Sequence, residues 1–178
     1  MMNAVFDMPL VRAFFRIRDI FWLGVRYTVM AFAAIAGLAA LAMALVICID
    51  IVARWLHHPF PGAYDIVRFL GTLVIAGALP YTTAVKGHVA VEFFFQKMHR
   101  LGRVVVDSLS RLIVMILFST FSWQCVRHGL SLKAAREISP TLGLPMFWLS
   151  FIIAAACVLT TLVLLYKILH PGREMIKP

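Results

Sequence analysis

Charge is scarce in this chain. Only 14% of its residues are Asp, Glu, Lys or Arg, whereas 62% are hydrophobic. A soluble domain carries about 25% charged and about 45–50% apolar residues, so this composition excludes an ordinary soluble fold. Cysteine is sparse too: Cys48, Cys125 and Cys157 are single and widely spaced, with no CxxC. All three sit in or beside apolar runs, where thiols pack as small hydrophobes and neither redox nor metal chemistry is expected. Phosphate loops, nucleophile elbows and HExxH are missing, which leaves nothing to support an enzyme. The six histidines, His57, His58, His88, His99, His128 and His170, all fall at or beyond the ends of apolar runs. A haem held in a bundle needs a histidine well inside a span, and His57-His58 alone does not make a metal site. Neither internal repeats nor low-complexity segments occur.

What the chain does have is four long apolar runs, and it reads as an all-α integral membrane protein with amphipathic interfacial helices. The spans are placed at about 27–53, 65–85, 104–126 and 144–169 within one membrane domain, 27–170. Each is long enough for about 30 Å of hydrocarbon at about 1.5 Å per residue. The first run starts too late and is too long for the apolar core of a signal peptide, so cleavage is not expected. Before it, residues 1–26 carry an amphipathic stretch. Leu10, Phe14, Ile17, Phe21 and Val25 share one face, and Arg12, Arg16, Asp19 and Arg26 share the other. This fits an interfacial helix on anionic membrane lipids, or a plain extension of the first span. A second such helix is expected at 89–103, and 171–178 form a short tail.

The net charge of +9 raises the question of nucleic acid. Most of the basic residues flank spans, which is the topogenic and headgroup-binding arrangement, so nucleic acid is not expected as a partner. Eleven Lys and Arg lie on the side of the two termini and five on the other, with Arg111 inside a span. The positive-inside rule then puts both termini in the cytoplasm.

The polar residues of the spans sit at their ends. Asp50, Asp65 and Asp107 each have a base three or four positions on, namely Arg54, Arg68 and Arg111. Local pairing and snorkelling account for that spacing without a transport site. Asp65–Arg68 lies beside the turn Pro59-Phe60-Pro61-Gly62, where it can also face a partner subunit. Pro80 is expected to kink the second span near its end. Small residues line the first span, with Ala36, Ala40 and Ala44 on one line and Ala33 and Gly37 on another. Such lines let helices approach closely and mark a candidate packing face. Residues 127–143, with Lys133, Arg136, Glu137 and Ser139-Pro140, read as a loop. A transporter acting alone needs a charge in mid-span or broken helices in repeated positions, and neither is present.

Several short motifs follow one another in a telling order. Arg54-Trp55 closes the first span and Pro61-Gly62 turns the chain, followed by Asp65 and Arg68. Lys86-Gly87-His88-Val89-Ala90-Val91 forms the exit of the second span. Ser139-Pro140 then leads through Leu142-Gly143-Leu144-Pro145-Met146-Phe147-Trp148 into the last. In this order and layout, residues 27–170 resemble the four-span, DctQ-like small membrane subunit of tripartite ATP-independent periplasmic (TRAP) transporters. That family more often has Glu at the position of Asp65; Asp keeps the charge on a shorter reach.

The resemblance implies a fixed scaffold subunit in the bacterial inner membrane. It implies a large membrane subunit carrying the sodium and substrate sites, and a periplasmic binding protein that docks transiently to deliver an organic acid. No cofactor is implied for this chain. By position, Asp65 and Arg68 would lie on the periplasmic side, and Lys86, Gly87, His88 and Glu92 on the cytoplasmic side. Asp50, Arg54, Pro145 and Trp148 complete the candidate interface or span-end residues. The competing reading, from the residues alone, is a membrane anchor subunit of a respiratory or redox complex.

Overall fold

The computed structural model describes residues 9–58, 60–85 and 100–169, without the side chains of 9–19, 100–105, 107 and 108. The described residues form four helices: α1 (Pro9–Trp55), α2 (Ala63–Ala84), α3 (Arg100–Ala134) and α4 (Phe147–Leu169). There is no strand among the described residues, only an isolated antiparallel bridge between Ile138 and Pro145. All four helices include a stretch long and apolar enough to cross a membrane. The fold is therefore the all-α, four-span class expected from the apolar runs.

Two boundaries differ from the hydropathy reading. α1 is continuous for 47 residues, joining the amphipathic stretch to the first span. At about 1.5 Å per residue it is far longer than the hydrocarbon is thick. α3 continues to Ala134, so residues 127–134 are helical and the loop is confined to 135–146. Arg127, His128 and Lys133 mark where the helix leaves the apolar layer, which is a different event from where it stops. The surface helix expected at 89–103 lies mostly outside the described residues; only its last residues, from Arg100, are seen, in α3. The tail 171–178, Lys86, Gly87, His88, Glu92 and the side chain of Asp107 also lie outside them.

The helices form a layer in the order α1, α2, α4, α3, with only light contact between α1 and α4. α1 and α2 are antiparallel and very close: a Cβ on Gly77 would stand 2.4 Å from the Phe32 carbonyl oxygen and 2.7 Å from the Ala36 Cβ. Only glycine permits that approach, as small-residue packing of membrane helices requires. α3 and α4 are antiparallel too, with the buried Ser122 hydroxyl donating to the Ala154 carbonyl at 3.2 Å. α2 and α4 are parallel neighbours at the centre. α2 runs unbroken through the buried Pro80. Val25 and Val29 of α1, Ala84 of α2 and Val163 of α4 form a small core near one end, flanked by Trp22 and Tyr166 in an edge-on ring contact.

Candidate functional site

Both interhelical loops that the structure describes in full or nearly so lie at the same end of the layer, and Asp65 joins them. α1 ends in a Schellman turn: His58 N–H donates to the Ala53 carbonyl at 2.9 Å and His57 N–H to Arg54 at 3.1 Å. His57 takes the left-handed conformation, φ 57°, that this ending needs. The chain turns at Pro61, and Gly62, at φ 92°, starts α2. Two independent reasons fix glycine here. Its backbone is left-handed, and a Cβ would stand 2.6 Å from Leu142 Cδ2 of the other loop.

The α3–α4 loop is equally defined. α3 ends on its own Schellman turn, with Glu137 N–H to Leu132 O at 3.1 Å and Arg136 N–H to Lys133 O at 3.2 Å; Arg136 is left-handed at φ 51°. A tight hairpin follows, closed by Ser139 N–H to Leu144 O at 2.8 Å and Met146 N–H to Glu137 O at 3.1 Å. Its tip carries Ser139, Thr141 and Leu142.

Asp65 is the third helical residue of α2 and is fully buried. An acid in this first turn is favoured by the helix dipole. Its Oδ2 accepts four hydrogen bonds from the other loop: the Ser139 and Thr141 hydroxyls, Thr141 N–H at 3.1 Å and Leu142 N–H at 3.0 Å. That donor set suits an ionised carboxylate, which only accepts. Oδ1 is buried with no partner among the described residues. The arrangement is a latch. It can hold two loops in register, and it presents no exposed carboxylate to a cargo.

The local Asp65–Arg68 pair expected from the sequence is therefore corrected. The carboxylate turns to partners more than seventy residues away, and Arg68 is exposed one turn on. Burial decides this: a carboxylate inside the layer needs donors that are also inside, and the loop supplies them. Asp50 and Arg54 do form their i,i+4 pair, Nε to Oδ2 at 2.8 Å. Pro145 is half-buried in the bridge with Ile138, and Trp148 is exposed and stacked on Phe147 at 5.1 Å. Of the small residues on α1, Ala36 is buried against Gly77 and Ala33 and Ala40 are half-buried. Gly37 and Ala44 are exposed, and the buried Ala39 was not singled out. Ser139, Thr141 and Leu142 were missed as a site. Their available signal was a hydroxyl-rich loop tip in a chain with a span-end acid.

The far end of the layer has its own ties. Lys167 Nζ donates to the Thr83 carbonyl, joining α4 to the end of α2, and Arg111 Nη1 donates to the Lys167 carbonyl at 2.8 Å. Among the described residues no group of three His, Cys, Asp or Glu is placed to hold a metal ion.

Residues 43–173 match the family described as "Tripartite ATP-independent periplasmic transporters, DctQ component". The chain belongs to this family. The match covers well over half of the sequence and takes in three whole spans, the latch and both of its loops. Comparison with curated proteins finds no match. The DctQ family is a family of transport components and not of enzymes, and it decides against the redox-anchor reading. This chain is thus a transmembrane TRAP transporter component, and its latch lies inside the matched region.

Proposed function

We propose that this DctQ chain is the fixed scaffold of its transporter. It braces a large membrane subunit that carries the sodium and substrate sites, for uptake of an organic acid brought by a periplasmic binding protein. The chain itself takes no cofactor and catalyses nothing. It lies in the bacterial inner membrane with both termini in the cytoplasm, so the latched loops face the periplasm, where the binding protein docks transiently.

The observation that carries this reading is the open layer. A closed four-helix bundle would bury a stripe on every helix. Here only 6% of the most apolar stretch of α3 is buried, and 11% of that of α1, against 44% for α4. Broad apolar faces on the outer helices suit lipid on one side and a large membrane partner on the other. The bonds at both ends of the α2–α4 pair suit a part that stays rigid while its partner moves.

Co-expression with a large TRAP membrane subunit, followed by purification through a tag on this chain, tests the proposal. Stable co-purification and permease-dependent uptake are expected. Purification alone, with a histidine-ligated haem absorption band, refutes it. An alkaline phosphatase fused after Lys177 should be inactive; an active fusion refutes the orientation.

A further inference from the structure

α1 and α2 leave between them an apolar groove of about 500 Å³, whose walls include Met30, Ala33, Gly37, Ala40, Ala78 and Tyr81. That volume is in the range of about 300–1,000 Å³ typical of small-molecule sites. The groove runs from Met30 to Ala40 along α1, about 15 Å at the helical rise. Half of the roughly 30 Å hydrocarbon layer is the same length, so the groove is one leaflet deep. Beyond Ala40 it closes, where Met43 Sδ comes 3.8 Å from the Cβ position of Gly71. A partner helix crossing the whole membrane would need a longer channel. An acyl chain does not.

The open end fixes the rest of the ligand. Met30 follows Val29 in α1 and Tyr81 lies one turn before Ala84 in α2, and Val29 and Ala84 share the small core where α2 ends. Arg26 lies one turn before Met30 and about 40° around the helix from it, within the arc of the groove wall. Its side chain is exposed, and its neighbour Val25 shares a core with Ala84 in the last turn of α2; a basic residue at the level of a span end suits lipid headgroups. We propose that this groove binds one glycerophospholipid of the leaflet on the N-terminal side. Its phosphate sits on Arg26 and one acyl chain lies along Gly37. The proposal needs nothing from the scaffold reading.

The test uses the full chain in detergent micelles, with phosphatidylglycerol and, separately, uncharged diacylglycerol titrated in and retention read by native mass spectrometry. Gly37→Leu fills the groove without disturbing the fold, because a Cβ at Gly37 meets nothing within 4 Å. It should weaken retention of both lipids about tenfold, while Arg26→Gln should weaken phosphatidylglycerol about tenfold and spare diacylglycerol. Ile116→Ala, at an exposed position on α3, should change neither. Unchanged retention in Gly37→Leu overturns the groove as the site, and equal losses in Ile116→Ala reduce the binding to annular lipid. Equal loss of both lipids in Arg26→Gln overturns the phosphate contact. If Gly37→Leu instead blocks co-purification of the large permease and leaves retention intact, the groove holds a protein helix and the lipid proposal fails.

Discussion

Replacing Asp65 by Ala should open the latch, and its cost follows from the donors left behind. The substitution removes the acceptor of four hydrogen bonds. Thr141 and Leu142 lie at the exposed tip, so their N–H groups can turn to water. Ser139 cannot, since it is only 2% exposed. Hydrogen bonds to a charged group contribute about 1.5–3 kcal/mol, and one buried orphan donor costs about 1–3 kcal/mol more. A loss of about 3–5 kcal/mol is expected, within the range for breaking a buried charged contact. At roughly 2–4 °C per kcal/mol for a chain of this size, the melting temperature should fall by about 10 °C. Thermal unfolding in detergent measures it, followed in a Cys48→Ser, Cys125→Ser background with a thiol-reactive dye that then reports exposure of the buried Cys157. Asp65→Asn keeps one acceptor oxygen and should cost about 1–2 kcal/mol. Trypsin should also cut faster after Arg136 in the released loop. Glu137→Ala, at an exposed neighbouring position, is the control. If Asp65→Ala unfolds no earlier than Glu137→Ala and is cut no faster, the latch does not hold the loops.

Gly77→Ala should force α1 and α2 apart, because its Cβ would meet backbone at 2.4 Å; a destabilisation of about 1–3 kcal/mol is expected in the same melting assay. Gly62→Ala should destabilise even when paired with Leu142→Ala, since the second change removes the clash but not the strain of φ 92°; full recovery in the double variant would show that space alone matters there. Arg136→Gly should stabilise by about 1 kcal/mol, because a left-handed C-terminal residue at φ 51° favours glycine, and a lowered melting temperature would show that the arginine side chain has another use.

The spans were legible because a membrane span is written in consecutive residues: length and apolarity suffice, and each of the four runs lies in one of the four helices among the described residues. Their ends were less so. Charge at Arg127 and Lys133 marked the edge of the hydrocarbon and was read as the start of a loop, although the backbone stays helical until Ala134. The Asp65 assignment failed for a related reason. Sequence spacing exposes neighbours at three and four positions, and Arg68 was the neighbour on offer. The true donors lie 74 to 77 residues away and become visible only when the fold brings the two loops together. The small-residue lines on α1 were half legible, since periodicity identifies a face and cannot say where along it the partner comes closest.

The positions of the polar contacts bear on how this layer works. α2 and α4 are parallel, and helices of one chain placed that way have no short loop to keep them in register. Two far-apart contacts do that instead: Asp65 with the hairpin that leads into α4, and Lys167 with the last turn of α2. A slide of α4 along α2 by one turn, about 5.4 Å, would break both at once. Each contact also uses a formal charge on backbone or hydroxyl groups inside the layer, where replacing it with water is costly. The charges near the span ends therefore set the register of the central helix pair. A helix pair held in this way resists the one-turn ratchet by which packed helices slide past one another.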